Sequence, residues 1–309
     1  MSLGNVSAYG LFCLLPLAAC DGAGGGSVET ASLAQYPVVQ EQPAAALAKQ
    51  DPAVSPGGAN VPGCTPSAAH PDPVVLVTGT FIPMEQDFAA LAPVLANAGY
   101  CVYALNYGYD PLTGNYATGA ISDSALQLSA FIAQVLADTG AARVDLVGHS
   151  QGGTLAEDYA KILNGAAKVN VLVGLAPTTH GTTLGGITQL MQVLPPLNLP
   201  IALYCPACVD QEPQSGFIEQ LAAYPIAQPG VQYTVIETRD DTVVTPLGAA
   251  FIDEPGVNDF YIQDLCPDDD AGHSDLGYDG AVIREVLNAL DPARAVAPDC
   301  SQAYPAAVQ

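Results

Sequence analysis

The chain has 309 residues, half of them apolar, and a formal net charge of −24 with only seven Lys plus Arg. That length and apolar content suffice for one large α/β domain or two small ones. So few cations argue against nucleic acid and anionic membrane surfaces as partners, and the absence of Trp removes any tryptophan platform for sugars.

Leu11 to Ala19 is apolar but too short to cross a bilayer as a helix. It ends L-A-A-C at Cys20, which resembles the lipobox of bacterial lipoproteins, where the Cys is lipidated. Met1 to Gly10 lacks Lys and Arg, so a plain secretory signal over 1–20 is the alternative. Either way the expectation is export, as a secreted protein or a lipoprotein of the cell envelope. Asp21 to Gly63 is rich in Gly, Ala, Pro, Ser and Gln and reads as a flexible tether reaching about 35–40 Å.

Cysteine usage agrees with export. Apart from Cys13 and Cys20, six remain: Cys64, Cys101, Cys205, Cys208, Cys266 and Cys300. An even number in an exported chain suggests three disulfides, with many possible pairings. Cys205 and Cys208 form C-P-A-C, but no second C-x-x-C or paired His stands near to complete a zinc site, and no thioredoxin-like setting suggests redox work. Asp268 to Asp270 reads as a solvated acidic loop in preference to a calcium site. No metal and no cofactor is expected.

From Pro73 the strands begin. P-V-V-L-V (Pro73–Val77) is a buried-strand run, followed by a helical spacing over Phe88–Ala98 and a second strand over Cys101–Tyr107. Ser122–Leu136 is a long helix with Leu126, Phe131, Ile132, Val135 and Leu136 as its apolar face. Val144–Val147 is a strand; Lys168–Leu175, Val231–Glu237 and Val257–Ile262 are three more, and Gly280–Ala289 is the closing helix. Strand and helix alternate, which requires a mostly parallel sheet covered on both faces.

Val144 to Gly153 reads V-D-L-V-G-H-S-Q-G-G, with a helical pattern after it. A G-x-S-x-G between strand and helix puts Ser150 at the tip of a strained turn, with Gly148 and Gly152 flanking because side chains there would collide. The N–H of Gln151 then lies at a helix N-terminus, where developing negative charge is favoured. A serine hydroxyl needs a base, and only four His are present. His273, in D-D-D-A-G-H-S-D, follows the last strand and fits the order Ser, acid, His. His180 comes too early and is expected to pack its own loop. The acid should follow Val231–Glu237 in T-R-D-D-T-V-V-T-P; of Asp240 and Asp241, the second stands closer to Val243–Val244 and is preferred. Thr80, at the exit of the first strand, is the second oxyanion donor beside Gln151.

These stretches, together with L-V-G-L-A-P-T-T-H-G-T-T and G-Y-C-V-Y-A-L-N-Y-G, resemble the secreted class 2 bacterial lipases of the α/β-hydrolase superfamily. The resemblance runs from about Cys64 to Cys300. It implies an α/β-hydrolase fold over 64–309, Ser150 as nucleophile, Asp241 as acid, His273 as base, and Thr80 and Gln151 as oxyanion donors. It also implies the pairs Cys64–Cys101, Cys205–Cys208 and Cys266–Cys300. One departure stands out: most bacterial members carry His-Gly before the oxyanion residue, whereas Thr78 precedes Gly79 here.

Leu184 to Tyr204 is apolar and almost free of charge. Leu184, Ile187, Leu190, Met191 and Leu194 share a helical stripe and are expected to wall the substrate site within an apolar cap or lid over about 178–225, together with Phe81 and His149. The expected activity is hydrolysis of apolar carboxylic esters through an acyl-enzyme on Ser150, by a monomer. A polyester hydrolase or acyltransferase with the same triad, and an inactive hydrolase fold serving as a surface-bound binding module, are the alternatives.

Overall fold

A computed structural model describes residues 35–186 and 198–301. In chain order its main elements are α1 (Glu41–Gln50), β1 (Val74–Val77), α2 (Met84–Phe88), α3 (Leu91–Asn97), β2 (Val102–Leu105), α4 (Ile121–Thr139), β3 (Val144–His149), α5 (Gln151–Lys161), β4 (Val169–Leu175), α6 (Asn198–Tyr204), α7 (Pro206–Asp210), α8 (Gly216–Leu221), β5 (Gln232–Glu237), β6 (Val257–Tyr261) and α9 (Gly280–Leu290). The six strands form one sheet in the order β2-β1-β3-β4-β5-β6, every pair parallel. The parallel sheet is the one expected from the alternation, and the architecture is the α/β-hydrolase fold that the resemblance implied.

The strands are apolar on both faces because both are covered. Val74 and Leu76 of β1 join Phe88, Leu91, Leu95, Val282 and Val286 in one apolar layer. Val75 and Val77, one residue out of phase, join Ile121, Leu128, Ile132, Leu155 and Tyr159 in the other. Helices α2, α3 and α9 thus cover one face, and α4 and α5 the other. The disulfides are Cys64–Cys101, Cys205–Cys208 and Cys266–Cys300, the pairing implied by the resemblance.

Three local expectations are corrected. The helix expected over Phe88–Ala98 is two helices, because Pro93 is accepted only in a first turn, so α3 must restart at Leu91. The long helix begins at Ile121, not Ser122, and its first N–H is received by the Asp210 carboxylate at 2.8 Å, a cap supplied from α7. Its Leu126 is 59% exposed, and Ala125, Leu128, Ile132 and Val135 form the buried stripe.

The tether ends earlier than its composition suggested. From Gln35 the chain packs on the domain: Tyr36 exchanges hydrogen bonds with the Asn97 amide, and the Asn60 amide pairs with both backbone groups of Ala104. Helix α1 buries Ala44 and Ala48. Alanine favours helix without marking an apolar stripe, so the sequence showed no periodicity there. Cys20 and the signal segment lie outside the described residues. Among the described residues no helix is long and apolar enough to cross a membrane.

Candidate active site

The sharp turn after β3 holds Ser150 at φ 53°, ψ −127°, a region that costs a non-glycine residue about 1–3 kcal/mol. Its N–H is held by the Leu175 carbonyl at the end of β4, 2.8 Å away. A Cβ on Gly152 would lie 1.9 Å from the Val77 carbonyl oxygen, and one on Gly148 would lie 2.4 Å from the Gly152 carbonyl. Strand and helix therefore cross at a distance only glycine permits, and this crossing throws the serine outward. Gln151 opens α5, so its N–H has no intrahelical acceptor.

Two loops at the same edge of the sheet meet this turn. The loop after β5 carries Asp241, buried, with Oδ1 accepting the N–H groups of Val243 and Val244 at 2.7 and 2.8 Å. Its Oδ2 lies 2.7 Å from His273 Nδ1. Asp240 is exposed. His273 is 7% exposed, and burial holds its imidazole below the ordinary range, with the Asp241 hydrogen bond opposing. The carboxylate engages Nδ1 and so fixes the imidazole's orientation. The ring centroids of His273 and of His149, the residue before Ser150, are 4.8 Å apart.

The exit of β1 forms the third loop. Gly79 donates its N–H to Asp87 Oδ2 at 2.8 Å. The Thr80 hydroxyl donates to the Gln151 side-chain oxygen at 2.6 Å and accepts from the Gln211 amide at 3.1 Å. Phe81, at φ 65° and half exposed, points away and lines a cleft of about 470 Å³ with Ala45, Ala48, Pro83 and Tyr116. Thr78, standing where a His is usual, lies under the loop: its hydroxyl is 2.7 Å from Asp87 Oδ2 and 2.6 Å from the Ile82 carbonyl, and its own carbonyl accepts the Tyr107 hydroxyl at 2.6 Å.

The profile of the class 2 lipases matches residues 71–277. The chain belongs to this family. In fold it is similar to lipase B of Aspergillus fumigatus (TM-score 0.61, 18% identity), covering 77% of this chain but only 58% of that one. It is also similar to the mature lipase BlEst2 of Bacillus licheniformis (TM-score 0.50, 15% identity), covering 72% of this chain and 90% of the other.

In this class 2 lipase the expected substrate residues separate. His149 is corrected: it is fully buried beneath the turn, with Nδ1 2.7 Å from Asp87 and Nε2 3.0 Å from the His273 carbonyl, and no face of it is open to a ligand. Leu184 is 36% exposed, next to Gly185, whose N–H is held by Thr245. Ile187, Leu190, Met191 and Leu194 lie outside the described residues. His180 donates its N–H to Ala249 and packs its loop. Among the described residues no cluster of ligating side chains could hold a metal ion, and Asp268 and Asp270 face solvent.

Sequence reasoning missed Asp87 and Gln211. Gln211, at the end of the Cys205–Cys208 turn, donates to Thr80 and accepts from Thr178, tying that turn to the loops after β1 and β4. Asp87 sits in M-E-Q-D-F, where an acid in a first turn ordinarily faces water. The one signal available was His149 itself, a polar residue ending a buried strand and therefore needing a partner.

Proposed function

We propose that this class 2 lipase is a carboxylic ester hydrolase that cleaves apolar esters through an acyl-enzyme on Ser150. The observation that carries the reading is the buried Asp241–His273 pair, 2.7 Å between Oδ2 and Nδ1, set beside a serine in strained geometry at the mouth of the parallel sheet. Ser150 Oγ attacks the ester carbonyl while His273 Nε2 takes the proton. The tetrahedral oxyanion accepts from the backbone N–H of Thr80 and of Gln151. Its collapse expels the alkoxide, which leaves as alcohol with the proton from His273. Water, deprotonated by the same imidazole, then releases the acid and restores the serine.

Asp241 keeps Nδ1–H pointing inward and balances the imidazolium formed at each step. Desolvation keeps His273 neutral, and so able to act as base, into mildly acidic solution. The Thr80 hydroxyl is committed to the Gln151 side chain, so the backbone donors carry the oxyanion role unless the hydroxyl turns on binding. The exposed Leu184 supplies an apolar approach for the acyl chain.

The test is turnover of p-nitrophenyl esters of graded chain length by the wild type and by Ser150→Ala. Wild-type turnover is expected, with a loss of at least about a thousandfold in the variant. Comparable rates in both proteins would overturn the assignment.

A further inference from the structure

The residue before the nucleophile is occupied in a way the ester mechanism does not use. His149 Nε2 faces the His273 carbonyl oxygen at 3.0 Å, and a carbonyl only accepts, so Nε2 carries a hydrogen. Nδ1 faces Asp87 Oδ1 at 2.7 Å. The other oxygen of Asp87 accepts Gly79 N–H at 2.8 Å, on the loop that bears Thr80. One continuous set of hydrogen bonds therefore runs from the oxyanion loop through Asp87 and His149 to the backbone of the base. Asp87 and His149 are 3% and 0% exposed.

We propose that His149 and Asp87 form a second, buried histidine–carboxylate pair that positions the oxyanion loop against His273 and sets the proton affinity of that base. They are positioning residues and touch no reacting atom. A core histidine could satisfy its two nitrogens on any buried groups. This one spans the two loops whose separation the reaction depends on, and displacement by about an ångström costs on the order of a hundredfold in rate.

The pair also has an electrostatic consequence. Burial acts first on both groups, but their mutual attraction outweighs it: Asp87 is held below the ordinary carboxylate range and His149 above the ordinary imidazole range. The His149 ring is the end of the pair nearer His273, and in its protonated form it disfavours a second cation there. The titratable groups facing the two rings are Asp87 on α2, Asp241 after β5 and each other; Tyr107 and Tyr278 face Asp87.

The proposal rests on the ester-hydrolase reading, and the experiment separates the two. Rates of wild type, His149→Gln and Asp87→Asn are followed from pH 4 to 9, with melting temperatures measured alongside. His149→Gln breaks the connection and leaves Asp87 charged. It is expected to lower kcat by about tenfold to a hundredfold with KM within about threefold, and to move the acid limb of kcat/KM upward by about half a unit. Asp87→Asn keeps the hydrogen-bonding pattern but lets His149 become neutral, so its acid limb also moves upward, whatever its rate. A merely structural role would leave the acid limb in place. If His149→Gln does not fold, the Asp87→Asn limb decides. A folded His149→Gln with kcat within twofold of wild type, or an unmoved limb in Asp87→Asn, would overturn the proposal. An inactive wild type would instead defeat the hydrolase reading.

Discussion

Asp241 accepts hydrogen bonds on both of its oxygens, two from backbone and one from His273, while Asp240 beside it stands in solvent. The difference is one residue of turn geometry, and it makes a sharp comparison. Asp241→Asn should lower kcat by about ten-thousandfold, because the amide disfavours the required imidazole tautomer, whereas Asp240→Asn should stay within twofold. Equal effects on ester turnover would contradict the acid's assignment. At this scale the linear order of Ser150, Asp241 and His273 was legible because each ends or follows a recognisable strand. The supports were not. Asp87, Thr78 and Gln211 lie 8 to 131 residues from these partners and carry no local pattern; the fold brings them together.

Elements read well where burial is complete and poorly where it is not. All six strands fall within two residues of their expected bounds; β1 to β5 are short, mostly buried apolar runs, while β6 (V-N-D-F-Y) is a half-exposed edge strand. The third runs on to His149, two residues past the apolar run, since its ladder with β4 continues through Gly148 and His149. Helix ends were harder. The start of α4 is fixed by Asp210, 89 residues away, and that of α9 by its own Asp279, which accepts from Ala281 and Val282. Only the second kind of cap is written in neighbouring sequence. Segment 35–63 was misread for a related reason: it adheres through backbone and amide pairs and small alanines, which leave no periodic trace.

Across the whole molecule, an acidic chain has buried several of its acids. Burial pushes Glu157 up to about 8, and Asp145, Glu85 and Glu237 to about 7. For each, the folded state holds its proton more tightly than the unfolded chain, so the folded state binds more protons in the window between the two values. Stability is therefore greatest on the acid side and falls as pH rises from about 4.5 through about 8. Calorimetry should show the melting temperature dropping from pH 6 to pH 9, and Glu157→Gln should reduce that drop; an identical drop in both would show that Glu157 does not titrate late. Three disulfides suit such a chain to an oxidising compartment. The most direct test of the central claim is the site of covalent capture. Treated with an alkyl phosphonate ester and analysed by peptide mass spectrometry, the protein should carry one phosphonyl group, on Ser150, formed far more slowly when His273 is replaced by Ala. A label on another residue, no label at all, or a rate indifferent to His273 would contradict it.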